Sequence, residues 1–272
     1  MKPQIREILR SAVYQLKFMD SVPDSAVCNE AVKLAQRKGF YNLKPFVNGV
    51  LRTIAREIGD LELPSREENE VRYLSVKYSM PEYLVEKWKA AYGVKTTEKI
   101  LEDFLTERPI TVRCRTHKAS LREIVTSLKS QGVTVEQAPY LPYALKISDY
   151  NHILTLETFL QGKILVQDVS SMLVAEAASP KKGDHIIDMC AAPGGKSIHA
   201  ADKMGDYGNV DARDVSQYKA DLIKENIHRT GVINVEARVQ DATVYDPDSE
   251  QAADIVIADV PCSGYGVIGK KP

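Results

Sequence analysis

Apolar positions in the first sixty residues recur at helical spacing. Ile5, Ile8, Leu9, Ala12, Val13 and Leu16 share one face of a first helix. A second helix is expected from about residue 25, with Asp24 or Ser25 as N-cap and Gly39 ending it. A third opens at Pro45, amphipathic and basic on one face. Leu61-Glu62-Leu63-Pro64-Ser65 reads as a linker. Helical character resumes over residues 67–92, with Pro81 starting a new helix and Gly93 closing it, and over residues 97–105.

From Ile110 the period changes to two. Ile110-Thr111-Val112-Arg113-Cys114-Arg115 alternates as a strand does, residues 120–131 form an amphipathic helix, and residues 133–136 and 144–147 are short strands. This is a small α/β module whose sheet could present Arg113 and Arg115 to a ligand. A further apolar run at residues 164–168 and a helix over 170–178 follow. Strands at 185–190, 208–211, 235–239 and 253–260 then alternate with helices at 197–204 and 216–230. Short helical connections between apolar strands predict a parallel, doubly wound sheet. The run 253–258 is apolar enough to be buried on both faces. The expected domains are 1–62, 63–163 and 164–272, a multidomain α and α/β architecture.

At 272 residues, with 44% hydrophobic and 27% charged positions, the chain has the composition of an ordinary globular protein. No segment reads as a membrane span or a secretory signal, so a cytoplasmic location is expected. The four cysteines, Cys28, Cys114, Cys190 and Cys262, form no C-x-x-C pair, which argues against structural zinc or a disulfide framework; no metal is expected. The net charge of −1 neither advertises nor excludes a nucleic-acid partner. Residues 1–62 carry ten Lys/Arg against seven Asp/Glu, and Arg113-Cys114-Arg115-Thr116-His117-Lys118 is locally basic. Arg113, Arg115 and Lys118 are therefore candidate RNA contacts.

The chemistry concentrates in Asp188-Met189-Cys190-Ala191-Ala192-Pro193-Gly194-Gly195-Lys196, a strand end, a tight turn and a helix start. Such a turn aims backbone N–H groups and a positive helix end at a ligand. It is neither G-x-G-x-x-G nor a P-loop, because no glycine stands five residues before Gly195, where a P-loop has its first glycine. Ligands of a doubly wound sheet bind beyond the carboxyl ends of its strands, and Asp188, Asp214, Asp241 and Asp259 all fall at or just after such ends. Asp214 follows the glycine turn at the spacing of a ribose-binding carboxylate.

The motif Asp188 to Lys196, followed by Asp259-Val260-Pro261-Cys262-Ser263-Gly264-Tyr265-Gly266, resembles the RNA cytosine-5 methyltransferases that use S-adenosylmethionine. Leu43-Lys44-Pro45-Phe46-Val47-Asn48-Gly49-Val50-Leu51-Arg52 resembles the NusB-type RNA-binding domain. The combination looks like the bacterial RsmB (Sun/Fmu) family, which methylates a cytosine of small-subunit ribosomal RNA. The resemblance implies a NusB-like helical bundle, a small RNA-recognition-like module and a Rossmann-like methyltransferase sheet. It also implies roles. Cys190, Ala191, Ala192, Pro193, Gly194, Gly195 and Lys196 would surround the methionine part of the cofactor. Asp214 would hold the ribose and Asp241 the adenine amino group. Asp259 would sit between cofactor and cytosine, and Cys262 would assist product release.

The chemistry needs a thiolate that adds at C6, making C5 nucleophilic enough to take a methyl group. In the family that thiol lies in a Thr-Cys motif after the Pro-Cys motif, and no cysteine follows Cys262 here. With four strands visible, the sheet is expected to be incomplete, the chain a fragment clipped at both ends, and the fragment inactive alone. The alternative is a non-catalytic RNA-binding protein that retains a cofactor-binding half-sheet. Enzymes acting on exocyclic nitrogens carry Asn/Asp-Pro-Pro-aromatic where this chain has Asp259-Val260-Pro261-Cys262. DNA cytosine-5 enzymes typically have Gln after the Pro-Cys, where Ser263 stands.

Overall fold

The structure is a computed structural model that describes residues 1–106, 108–205, 207–265 and 268. Gly266, the last glycine of the second motif, lies outside the described residues. The chain divides into two compact units, residues 1–103 and 104–272.

The first unit is helical. Helices α1 (Pro3–Phe18), α2 (Asp24–Arg37) and α3 (Lys44–Glu57) bury the predicted stripes against one another: Ile5, Ile8, Leu9 and Ala12 meet Val27, Ala31, Ala35, Val47 and Leu51. The N-cap of α2 is Pro23; Asp24 is the first helical residue, and no side chain caps this end. Helices α4 (Glu70–Lys77), α5 (Glu82–Tyr92) and α6 (Val94–Phe104) follow. Arg66 and Lys77 both pair with Glu98, and Lys89 pairs with Glu70, so these helices share a network of charges.

The second unit contains two sheets. Strands β1 (Ile110–Cys114), β2 (Thr134–Gln137), β3 (Ala144–Ser148) and β4 (Ile164–Val166) form an antiparallel sheet in the order β2-β3-β1-β4. Helix α7 (Leu121–Ser130) starts at a capping box in which the Ser120 hydroxyl accepts from the Glu123 amide and the Glu123 carboxylate accepts from the Ser120 amide. Its buried Ile124 and Leu128 pack on Val112, Leu145 and Ile147. The expected boundary before residue 164 separates β4 from its partner. Val112, Arg113 and Cys114 pair with Val166, Leu165 and Ile164, so β4 completes the small sheet and does not join the parallel one.

After the short helix α8 (Glu157–Leu160), which precedes β4, and helix α9 (Val169–Ala178), which follows it, the chain enters the second sheet. Strands β5 (His185–Asp188), β6 (Asn209–Asp214), β7 (Val235–Val239) and β8 (Ile255–Ile257) are parallel throughout, in the order β7-β6-β5-β8. Helices α10 (Gly195–Met204) and α11 (Gln217–Thr230) bury Ile198, Ala201, Met204 and Ile223 against Ile186, Val210, Ala212 and Ile257. The run 253–258 is not buried on both faces. β8 is a three-residue edge strand; Ile257 faces the core, whereas Val256 is 56% exposed on the other face. Among the described residues no helix is long and apolar enough to cross a membrane.

Candidate cofactor and base site

The site forms where β5 gives way to α10. The β5 strand ends in Asp188, 1% exposed, whose Oδ2 accepts from Ser197 Oγ at 2.7 Å. Burial pushes this carboxyl up to about 6, while Ser197, the Lys196 charge and the Cys190 amide hold it lower. The turn is knitted to the sheet from above. The Met189 amide donates to Ile257 at 2.9 Å, the Ala191 amide to Arg213 at 2.8 Å, and Asn226 Nδ2 to the Pro193 carbonyl at 3.0 Å. Gly194 sits at φ +98°, and a Cβ there would lie 3.2 Å from Ile223 Cγ2; the turn needs glycine on both counts. Gly195 begins α10, whose N-terminus therefore emerges beside the ligand face.

A cavity of about 750 Å³ opens at this turn, lined by Cys190, Ala191, Ala192, Pro193, Gly195, Lys196 and Asp259. Lys196 Nζ and Asp259 Oδ2 are 2.6 Å apart across it. Residues 63 positions apart in sequence, from the two motifs, thus meet as an ion pair at the mouth of one cavity. The opposite wall comes from Phe104, Arg108, Ile110, Thr111, Gln167 and Ser171, none of which the sequence had singled out. The β1–β4 pairing carries Thr111 and Gln167 there: the Gln167 amide donates to the Thr111 carbonyl at 3.1 Å.

Asp214 lies on the other side of the turn, at the end of β6 and 3% exposed. Its Oδ2 accepts from the Ala192 amide at 3.1 Å; its Oδ1 accepts from the Val215 amide at 2.8 Å and from Lys219 Nζ at 3.0 Å. Burial pushes this carboxyl up, but Lys219 and the two amides outweigh it and hold it below the usual carboxylate range. Asp241 is exposed after β7, where its Oδ1 accepts from the Thr243 amide and hydroxyl at 2.9 and 2.7 Å. Neither Asp214 nor Asp241 lines the cavity, and neither does Cys262, which is exposed. Cys190 is half-buried in the cavity wall, its thiol pushed up by burial and by the charge of Asp214. Among the described residues no three His, Cys, Asp or Glu side chains are grouped to hold a metal ion.

Two of the three expected RNA contacts are not available to RNA. Arg113 and Arg115 are 2% and 1% exposed. Both are tied to Asp202 of α10, at 2.6 Å each. Arg113 Nε also donates to Gln167, and Arg115 to the carbonyls of Gly162 and Thr230. β1 alternates as predicted, but the face carrying these arginines packs on α10, and buried guanidinium groups need a carboxylate and carbonyls in place of water. Lys118, beyond the strand, is exposed. His199 on α10 is buried beside the Tyr143 hydroxyl, 3.3 Å away, and burial together with the Arg113 charge pushes it down to about 3. It is neutral and is not among the residues that line the cavity.

Three family models match successive stretches of the chain. The NusB family covers residues 1–56, the RsmF/B-like ferredoxin-like domain residues 80–153, and the 16S rRNA methyltransferase RsmB/F model residues 175–272. The probable ribosomal RNA small subunit methyltransferase B of Bacillus subtilis is 38% identical over all of this chain and 60% of its own length. The human 28S rRNA (cytosine(4447)-C(5))-methyltransferase is 31% identical over 73% of this chain and 25% of its own. Among solved structures, the crystal structure of PH0851 matches 100% of this chain and 61% of its own, with a TM-score of 0.86 and 30% identity. The chain thus spans about 60% of the length of the bacterial relatives that it matches. Successive stretches of this chain thus resemble, in order, the NusB, ferredoxin-like and 16S rRNA methyltransferase RsmB/F models, and its two motifs meet at one cavity.

Proposed function

We propose that the chain carries the cofactor- and RNA-recognising parts of an S-adenosylmethionine-dependent enzyme that methylates C5 of a cytosine in small-subunit ribosomal RNA. The observation that carries this reading is the cavity that joins the Cys190–Lys196 turn to Asp259 through the Lys196 ion pair. The residues fit the cofactor. A glycine-opened turn and a helix N-terminus flank the cavity, and a buried, ionised Asp214 stands on the ribose side. The bound cofactor supplies an electrophilic methyl group on a sulfonium.

In this reading the turn holds the methionine end, Asp214 the ribose hydroxyls and Asp241 the adenine amino group. Asp259, 60% exposed in its side chain and paired with Lys196, accepts from the amino group of an unstacked cytosine. Cys262, exposed on the same loop, assists departure of the C5 proton or resolution of the thiol adduct. Residues 1–62 and Lys118 supply RNA contacts, which should weaken with salt. The second reading, an RNA-binding protein that keeps a cofactor half-sheet, draws on the position of Cys262, exposed and outside the cavity wall.

Methyl-labelled cofactor incubated with the chain and unmodified small-subunit ribosomal RNA separates the two. Label at C5 of cytosine supports the enzyme. Without transfer, RNA binding that the cofactor strengthens and that Asp259→Asn uncouples still supports the enzyme's recognising parts, whereas RNA binding indifferent to cofactor and to Asp259→Asn supports the binding protein.

A further inference from the structure

An ionised carboxylate offers about four acceptor positions, two on each oxygen. At Asp214 the Ala192 and Val215 amides take two of them and Lys219 Nζ a third. The two amides belong to the backbone of the turn and of the strand end, so they cannot leave without unfolding the site. Lys219 is different: its side chain is 44% exposed, on a flexible four-carbon stem, whereas Asp214 is 3% exposed. The fold delivers Lys219 to this place. Ser216 caps α11 by accepting from the Lys219 amide at 3.4 Å, which turns the first helical turn back over the end of β6. One acceptor position remains, and the two hydroxyls of a ribose require two.

We propose that Lys219 competes with the cofactor's ribose for Asp214, its ammonium occupying an acceptor position that the vicinal diol needs and swinging into solvent as the diol binds. The proposal rests on the reading of Asp214 as the ribose carboxylate. Lys219 keeps the buried carboxylate ionised and partnered while the site is empty, and it lowers cofactor affinity below what Asp214 alone would give. The effect should be modest, because a pair with one solvent-exposed partner contributes little. It should also depend on salt, which screens the pair and eases its displacement.

The test is calorimetric titration of the full chain with S-adenosylhomocysteine. K219M is expected to bind about two- to fivefold tighter than the wild-type chain, and K219R, which restores the cation, to bind like wild type. Raising the salt from about 0.05 to about 0.5 M should strengthen wild-type binding and leave K219M unchanged. Equal or weaker binding by K219M overturns the proposal, since Lys219 would then be idle or a direct ligand contact. D214N separates this failure from that of the underlying reading. If D214N loses binding while K219M gains none, only the competition is wrong. If D214N binds like wild type, or no variant binds, the ribose reading falls with it.

Discussion

Two buried titratable side chains beside the glycine turn act in opposite directions in acid. Asp188 is pushed up to about 6 from an ordinary 3.8, chiefly by burial, so between those values the folded chain holds a proton that the unfolded chain releases. Its contribution to stability therefore grows as pH falls through 6. His199 is pushed down to about 3 from 6.5, again chiefly by burial, so the unfolded chain binds the extra proton and stability is lost as pH falls below 6.5. Between about pH 4 and 6 the two largely cancel. Replacing His199 with Gln should leave the Asp188 effect alone, making the protein relatively more stable at about pH 4.5 than at pH 7. Replacing Asp188 with Asn should do the reverse. Urea midpoints of wild type and both variants at the two pH values measure this, and three parallel profiles would refute it. The position of Asp188 at a strand end was legible from the apolar run before it. The depth of its burial was not, because that depends on α10 folding back so that Ser197 closes over it.

Among the elements, the glycine turn shows how much a local pattern encodes. Gly194 and Gly195 are adjacent and look equivalent in the motif, yet the structure gives them different tasks. Gly194 holds φ +98°, with Ile223 Cγ2 at 3.2 Å from a would-be Cβ; Gly195 is the first residue of α10 and has room, with Gln167 Cδ at 3.8 Å. Gly194→Ala is expected to cost about 1–3 kcal/mol of stability and to weaken S-adenosylhomocysteine binding. Gly195→Ala should be neutral or stabilising by up to about 1 kcal/mol. Thermal melts of the two variants test the contrast, and equal losses would show that the motif tolerates no Cβ at either place. The helices and strands of the parallel sheet were predicted to within a few residues because their apolar periods are strong. The exception was β8, predicted over eight residues and formed over three. A short edge strand pairs on one side only, and its sequence does not show where pairing stops.

For the whole molecule, the decisive contact is the one that the basic run 113–118 concealed. Arg113 on β1 and Arg115 just after it meet Asp202 on α10, 89 and 87 residues away in sequence, and so fasten the small antiparallel sheet to the parallel one. Arg229 of α11 adds a second fastening, donating to the Phe159 and Ile164 carbonyls and stacking on the Phe159 ring at 3.9 Å. Burial raises the Asp202 carboxyl, but the two arginines outweigh it and hold it below its usual range. Asp202→Asn leaves two buried guanidinium groups without a counter-charge. It should destabilise residues 104–272 by about 3–5 kcal/mol. Amide hydrogen exchange should show both sheets losing protection together while α1, α2 and α3 keep theirs. Retained protection in the small sheet alone would mean that the two sheets are separately stable.

The sequence by itself determined the helical and α/β regions, the parallel character of the second sheet, and the two motifs whose residues Lys196 and Asp259 meet at the cavity. Those features follow from local periodicity, turn chemistry and the rule that strands of such a sheet end at the ligand, all of which act over a few residues. Only the tertiary structure decided which faces were covered. It buried Arg113 and Arg115, left Val256 exposed, moved β4 into the small sheet, brought Thr111 and Gln167 to the cavity and set Lys219 on Asp214. Each of these outcomes depends on a partner distant in sequence or on the direction in which a helix leaves its cap. A linear pattern of apolar and polar residues gives the period of an element, but it does not identify the surface that the element will meet.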